Sequence, residues 1–371
     1  MQNDKQKNRT ISEQLGYKIE FIRTNAIKKI YLELTNQCNL DCIMCYRKNW
    51  NESFFANMSL EIFDKFCQDI KEIEGLEEIV LGGIGEPTYY EHFSYVIEKL
   101  KNYKLNITSN GTLLNDDLIN KIINKVNSIT ISVDGVEEDF EKIRGIELQK
   151  IVDNIQRLEE IKILNKTSFP KVQLQFVASK KNIHTIFSVI DLASKLKCDK
   201  LIVSNLIPQE EFTKDDILYS IQSNEENEKL WDSIKKHGIR RGIKIQMPNL
   251  DLREEKSCNF IDSVSTFINA KGEVVPCYRL SHDSKEYVFS REKNIRKHSL
   301  GNILDTSLLD LWNNKKYQQL RYNLHSSRYP SCIDCSLVEG CEYISDTLED
   351  CFGESPSCGD CLWYRKFVVC P

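Results

Sequence analysis

From residue 30 to about residue 207, short apolar runs rich in β-branched residues alternate with longer stretches whose apolar positions recur at helical spacing. The strand-like runs are IYLELT (30–35), EIVLGGIG (78–85), LNITSNG (105–111), SITISVDG (128–135), KVQLQFVAS (171–179) and KLIVSNLI (200–207). Most end in Gly, Asn or Asp, residues that let the chain leave a strand and turn. The first helical stretch starts at Ser59, a good cap, and puts Leu60, Phe63, Phe66, Cys67 and Ile70 on one face. Others are predicted over 91–103, 114–126, 137–163 and 182–197. Six consecutive βα units make this an α/β chain with a parallel sheet, either open and doubly wound or part of a barrel.

Beyond residue 210 the pattern breaks. QSNEENEKLWDSIKKHG reads as a solvated helix bridging two units. A second region starts near Met247 with a hairpin, VSTFINAKGEVVPCYRL, that can turn at Lys271 and Gly272. The charged insert HDSKEYVFSREKNIRKHS predicts a mobile loop with its basic residues on a solvated face. The division is then an N-terminal segment (1–27), a βα domain (28–210), a helical bridge (211–246) and a smaller domain (247–371). There is no fixed-period repeat and no low-complexity tract.

With 41% hydrophobic and 28% charged residues, the chain has an ordinary globular composition. A net charge of −5 gives no electrostatic case for nucleic acid or an anionic membrane as partner. No apolar run is long enough to span a bilayer, and the start MQNDKQKNRT is not that of a signal peptide, so the expected location is the cytoplasm. That makes the 14 cysteines hard to read as disulfides, because the cytosol keeps thiols reduced; metal is the better reading. Cys67, on an apolar helix face, and Cys198, just before a strand, read as small core residues. The rest fall into a front group of three and a back group of nine.

In either α/β architecture the ligand site collects at the carboxyl ends of the strands. There the stretch LTNQCNLDCIMCYRKNW follows the first strand, GGIGEP the second, TSNG the third and SVDG the fourth. The first carries Cys38, Cys42 and Cys45 as C-x3-C-x2-C. Structural zinc wants four protein ligands, and the first His in the chain is His92. A [4Fe-4S] cluster is usually held by four thiolates, so three leave one iron open, as in metal centres that bind substrate.

C-x3-C-x2-C followed by Tyr46, after the first strand of a βα series, resembles the radical S-adenosylmethionine (radical SAM) superfamily over residues 28 to about 210. The resemblance implies a partial (β/α)6 TIM-like barrel. It also implies a [4Fe-4S] cluster on Cys38, Cys42 and Cys45 whose open iron chelates S-adenosylmethionine. Reductive cleavage of that cofactor gives a 5′-deoxyadenosyl radical, which takes a hydrogen from the substrate; the protein orients the cofactor and excludes water. By the same resemblance Gly82, Gly83, Gly85 and Glu86 receive the methionine amino group. Ser132 and Asp134, with Asn110 nearby, serve the ribose and carboxylate; Arg144 pairs with the carboxylate; and Tyr46 lies beside the adenine.

The back group is Cys258, Cys277 (in G-x4-C from Gly272), Cys332, Cys335, Cys341, Cys351, Cys358, Cys361 and Cys370. On spacing alone zinc remains open. C-x13-G-x4-C followed after a gap by C-x2-C-x5-C resembles the SPASM extension of radical SAM enzymes, a smaller Cys-rich α+β domain with one or two auxiliary [4Fe-4S] clusters. Many such proteins have a further cysteine where this chain has Ser345. Two full clusters need eight thiolates, so one of the nine is spare or one cluster is open. Cys332, Cys335 and Cys341 belong on one cluster, and Cys258 and Cys277 on the other.

The resemblance implies a maturase acting on a peptide, a protein or a protein-bound cofactor, with ferredoxin or flavodoxin as electron donor. Sulfatase maturases carry an acidic base directly after the G-x4-C cysteine, where this chain has Tyr278, which argues against that activity. The tail DCFGESPSCGDCLWYRKFVVCP resembles maturases associated with tungsten-cofactor aldehyde oxidoreductases. A ribosomal-peptide crosslinking or epimerising enzyme is the alternative, mildly disfavoured because no winged-helix module is seen ahead of residue 28. A zinc-ribbon scaffold is the alternative of another class.

Overall fold

In the computed structural model, residue 16 and residues 18–50 and 56–369 are described; most of the N-terminal segment and Cys370 lie outside them. The six apolar runs form β1 (Lys29–Leu32), β2 (Glu78–Leu81), β3 (Lys104–Ser109), β4 (Ser128–Ser132), β5 (Lys171–Ala178) and β6 (Lys200–Asn205), each parallel to the next. Between them run α1 (Leu60–Asp69), α2 (Phe93–Leu100), α3 (Asp116–Ile122), α4 (Glu137–Arg144), α5 (Leu148–Leu164) and α6 (Ile186–Lys195). The helix expected over 137–163 is two, because Gly145 adopts φ +74° and caps the first in the left-handed conformation. The architecture is a partial TIM-like barrel with a smaller cysteine-rich C-terminal domain.

The core lies between sheet and helices. Leu32, Leu81, Ile107, Ile131, Phe176 and Val203 have no exposed surface and belong to one apolar cluster with Phe63 and Phe66 of α1. The Ser59 cap is present, its hydroxyl accepting from the Ile62 amide at 3.2 Å. The buried face of α1 is rotated from the expected one. It centres on Ile62, Phe63 and Phe66, while Leu60, in the first turn, is 40% exposed.

Two expectations for the second half are corrected. The polar stretch near residue 230 does form a helix, α7 (Glu225–Arg241), but it is not a solvated bridge. Trp231, Ile234 and Gly238 are buried, and the chain then enters β7 (Lys244–Gln246), which pairs parallel with β6. Three inward positions among charged ones suffice to dock a helix, and composition hides so narrow a stripe. The charged insert is not a mobile loop either. It forms a two-stranded antiparallel hairpin, β10 (Ser284–Val288) with β11 (Arg291–Ile295). Two of its charges, Glu286 and Lys293, point inward and are matched: Glu286 takes Arg279 at 2.6 Å and Lys293 takes Asp360 at 2.7 Å, all four side chains at most 3% exposed. A count of charged residues cannot see that pairing.

The hairpin expected at Lys271 and Gly272 is β8 (Ser265–Ile268) antiparallel to β9 (Val274–Val275), with Gly272 at φ +80°. β8 also pairs parallel with β1, so the sheet runs β7-β6-β5-β4-β3-β2-β1-β8-β9 and passes from one region into the other without a break. Among the described residues no helix is long and apolar enough to cross a membrane.

Replacing Lys293 by Ala leaves the buried Asp360 carboxylate with only the longer Arg279 contact at 3.4 Å and should cost about 3–5 kcal/mol. Lys285→Ala, on the same hairpin but paired with Glu292 near the surface, should cost less than about 1 kcal/mol. Denaturant unfolding of both variants checks the pair; equal, small effects would mean that the insert is a solvated loop.

Candidate active site

The strand-end loops converge as the α/β pattern requires. A cavity of about 320 Å3 is lined by Cys38, Cys42, Cys45, Tyr46, Gly83, Gly85, Glu86, Asn110, Ser132 and Arg144 together. Gly82 and Asp134 do not reach its wall. A Cβ on Gly82 would collide with Thr108, and Asp134 is fully buried behind Arg144, bonding Arg144 Nε at 2.6 Å and the Val177 amide at 2.7 Å.

The loop after β1 holds its thiols through local bonds. The Cys45 amide donates to the Cys42 carbonyl at 3.1 Å, and a 3-10 turn (Tyr46–Asn49) follows at once. Cys38 Sγ accepts from the Leu40 amide at 3.4 Å and from Asn110 Nδ2 at 3.6 Å; Cys42 Sγ accepts from Arg144 Nη1 at 3.7 Å. Burial pushes the Cys38 and Cys42 thiols up, and these same donors pull against it. Burial would also lower Arg144, but the Asp134 carboxylate and Cys42 outweigh it and hold the guanidinium charged.

The glycines of the second loop are required by the first. A Cβ on Gly83, at φ +138°, would sit 2.8 Å from the Glu33 side chain, and one on Gly85 would sit 2.5 Å from the Gln37 carbonyl. The close approach that sequence assigns to a ligand is thus first an approach between neighbouring loops. Glu86 is 2% exposed; Oε1 accepts from Ser109 Oγ (2.8 Å) and Thr88 Oγ1 (2.6 Å), and Oε2 from the Asn110 amide (2.6 Å). Burial raises its pKa against the pull of these donors. The far side of the cavity was not legible in sequence: Gln175 and Ser204 on β5 and β6, and Tyr278, Arg279 and Trp363 from the second region. The only signal for the β5 and β6 residues is their polar character near strand ends.

The back cysteines separate. Cys258, Cys277, Cys358 and Cys361 all line one small cavity, and Tyr278, Arg279 and Trp363 line both it and the larger one. Burial pushes Cys258 up to about 12 and Cys358 well above its ordinary value. Cys335 and Cys351 are exposed, and Cys332 and Cys341 are half-buried. Cys258 and Cys277 thus share a cavity with Cys358 and Cys361, and Cys332, Cys335, Cys341 and Cys351 do not line it. Cys370 lies outside the described residues.

The donor sets suit iron-sulfur clusters. Three thiols line the larger cavity, four line the small one, and Cys332, Cys335, Cys341 and Cys351 lie outside both. Among the described residues no three His, Cys, Asp or Glu side chains are arranged to hold a metal ion. A cluster instead spreads its thiolates over separate irons.

The radical SAM superfamily pattern matches residues 32–172, and an iron-sulfur cluster-binding domain, SPASM, matches residues 258–336. The chain is 33% identical over 356 residues to the tungsten-containing aldehyde ferredoxin oxidoreductase cofactor-modifying protein of Pyrococcus furiosus, covering 93% of this chain and 97% of that protein. A probable GTP 3′,8-cyclase of Sulfolobus acidocaldarius is 29% identical over 190 residues, 49% of this chain and 57% of that one. Among solved structures, Streptococcus suis SuiB bound to S-adenosylmethionine superposes with a TM-score of 0.59 at 16% identity, covering 86% of this chain and 72% of SuiB. Native anSMEcpe with bound AdoMet gives 0.57 at 16% identity, covering 91% and 96%.

In metal-free, reduced protein, iodoacetamide should label the exposed Cys335 and Cys351 first and the buried Cys358 and Cys361 last, read by peptide mass spectrometry over time. Gly85→Ala should cost about 1–3 kcal/mol in denaturant unfolding, since the Cβ meets backbone that no side-chain rotation can clear.

Proposed function

The chain belongs to the radical SAM superfamily, in the family of the tungsten oxidoreductase cofactor-modifying protein, and on that basis we propose that it is a maturase acting on the cofactor of a tungsten-dependent oxidoreductase. The observation that carries this reading is identity at 33% along 93% of this chain and 97% of that relative. It is an enzyme, with a [4Fe-4S] cluster bound to S-adenosylmethionine and auxiliary iron-sulfur centres.

Cys38, Cys42 and Cys45 would hold the first cluster, whose chemistry, once it is bound, is the reductive cleavage of S-adenosylmethionine to a 5′-deoxyadenosyl radical. This chain's residues hold and shield that chemistry. The Leu40 amide, Asn110 and Arg144 donate to the thiolates of Cys38 and Cys42, which lowers the cost of keeping two charged sulfurs out of water. Tyr46, Gly83, Gly85, Glu86, Asn110, Ser132 and Arg144 line a space within the usual range for a small-molecule site. Asp134 acts at one remove, fixing Arg144 against the wall. Gly82 likewise contributes by letting β2 and β3 end side by side.

Cys258, Cys277, Cys358 and Cys361 would complete one auxiliary cluster, and Cys332, Cys335, Cys341 and Cys351 the other. With four thiolates each, neither keeps an open iron, which suits electron carriers better than substrate-binding centres. The same reading puts the work in an anaerobic cytoplasm, on a protein or protein-bound cofactor, with ferredoxin or flavodoxin as donor.

Anaerobically reconstituted protein should carry roughly twelve irons and form 5′-deoxyadenosine from S-adenosylmethionine under reduction; Cys38, Cys42 and Cys45 all changed to Ala should leave roughly eight and form none. Deoxyadenosine from the triple variant would reject the front assignment. For the substrate, a tungsten-dependent aldehyde oxidoreductase produced without this chain should yield an extracted cofactor of different mass. An identical mass would reject the maturase role.

A further inference from the structure

Three side chains form a wall shared by the larger cavity and the small one around Cys258, Cys277, Cys358 and Cys361: Tyr278, Arg279 and Trp363. Arg279 is 2% exposed. Its Nε and Nη2 both donate to Glu286 Oε1, at 3.0 and 2.6 Å, and Nη2 also reaches Asp360 Oδ1 at 3.4 Å. Its Nη1 is buried and has no hydrogen-bond partner among the described residues. Buried N–H groups without an acceptor are rare, and one on a charged guanidinium marks a place where an acceptor belongs.

The surroundings say which acceptor. Lys293 bonds the other Asp360 oxygen at 2.7 Å, so two cations and two carboxylates balance inside the protein and Arg279 is held in place. Asp360 lies between Cys358 and Cys361, which ties the guanidinium to the loop bearing those thiols. Arg279 lines the small cavity together with Cys258, Cys277, Cys358 and Cys361, so the acceptors its surroundings offer there are sulfurs.

We propose that Arg279 Nη1 donates an N–H···S hydrogen bond to the iron-sulfur cluster held by Cys258, Cys277, Cys358 and Cys361 and raises its reduction potential. This rests on reading those four cysteines as cluster ligands. The couple is one electron: the oxidised cluster gains it, its negative charge grows by one, and Arg279 keeps its proton in both states. A donor fixed beside sulfur stabilises the more negative state, and hydrogen bonds to sulfur are one of the levers that set such potentials. Arg279 is a positioning residue here, acting on the cluster from outside its ligand set.

The test uses full-length protein with Cys38, Cys42 and Cys45 changed to Ala and Cys335 changed to Ser, so that the cluster in question is the intact one, reconstituted and titrated by EPR. Arg279→Gln should lower its midpoint, and Arg279→Lys, which keeps the charge and a donor, should recover part of the shift. Glu286→Gln, which leaves the guanidinium less neutralised, should raise the midpoint. Iron retained with an unmoved midpoint in Arg279→Gln overturns the proposal, as does loss of the iron in both Arg279 variants, which would make the residue a strut. Absence of iron from the parent protein would overturn the cluster reading as well, and so separates the two failures.

Discussion

The pairing on which the molecule depends is that of β1 with β8. β1 is hydrogen-bonded on both sides, to β2 in register Leu32↔Leu81 and to β8 in register Leu32↔Ile268. Just past its end, Glu33 is fully buried, within 3.1 Å of His282 Nε2 and 3.3 Å of the Ala270 and Ile84 amides. One carboxylate thus touches the second region twice and the GGIGEP loop once. The thiol loop that follows is gripped in turn by Tyr46, whose hydroxyl meets Ser284 at 3.3 Å and Glu286 at 3.4 Å on the β10–β11 hairpin. Cavity, front thiols and auxiliary thiols are one structure because β1 is shared.

The second organising fact is electrostatic. The fold gathers thiols where burial disfavours their charged form, which is costly unless something positive or hydrogen-bonding faces each sulfur. The front loop has Asn110 and Arg144 for this; beside the inner back set stands Arg279, which lines the same cavity. Each of these guanidiniums is anchored by a buried carboxylate, Asp134 or Glu286. The same device occurs on both sides of the shared wall.

What sequence could show was decided by range. Apolar runs of four to eight residues announce β1 to β6 because burial on both faces of a parallel sheet requires them. C-x3-C-x2-C is legible because three thiols within one loop are a local fact. Trp231, Ile234 and Gly238 were hidden because charge surrounds them, and Glu286 and Lys293 because their partners, Arg279 and Asp360, lie elsewhere in the chain. Cys351, Cys358 and Cys361 sit within eleven positions of one another, yet Cys351 is exposed while Cys358 and Cys361 are buried and line the small cavity, a difference that spacing does not show. The β1–β8 ladder joins residues more than two hundred apart, beyond the reach of any periodicity.

That separation also has a consequence in time. A chain emerging at about 5–20 residues per second delivers β1 early but β8 only some ten to fifty seconds later. Throughout that interval one edge of β1 has no partner, and the Glu33 carboxylate lacks the Ala270 amide and His282 that enclose it. The front thiol loop is therefore among the first segments made and among the last to acquire its finished walls. During synthesis it stays open to iron delivery and to oxygen alike, long after the helices around it have formed.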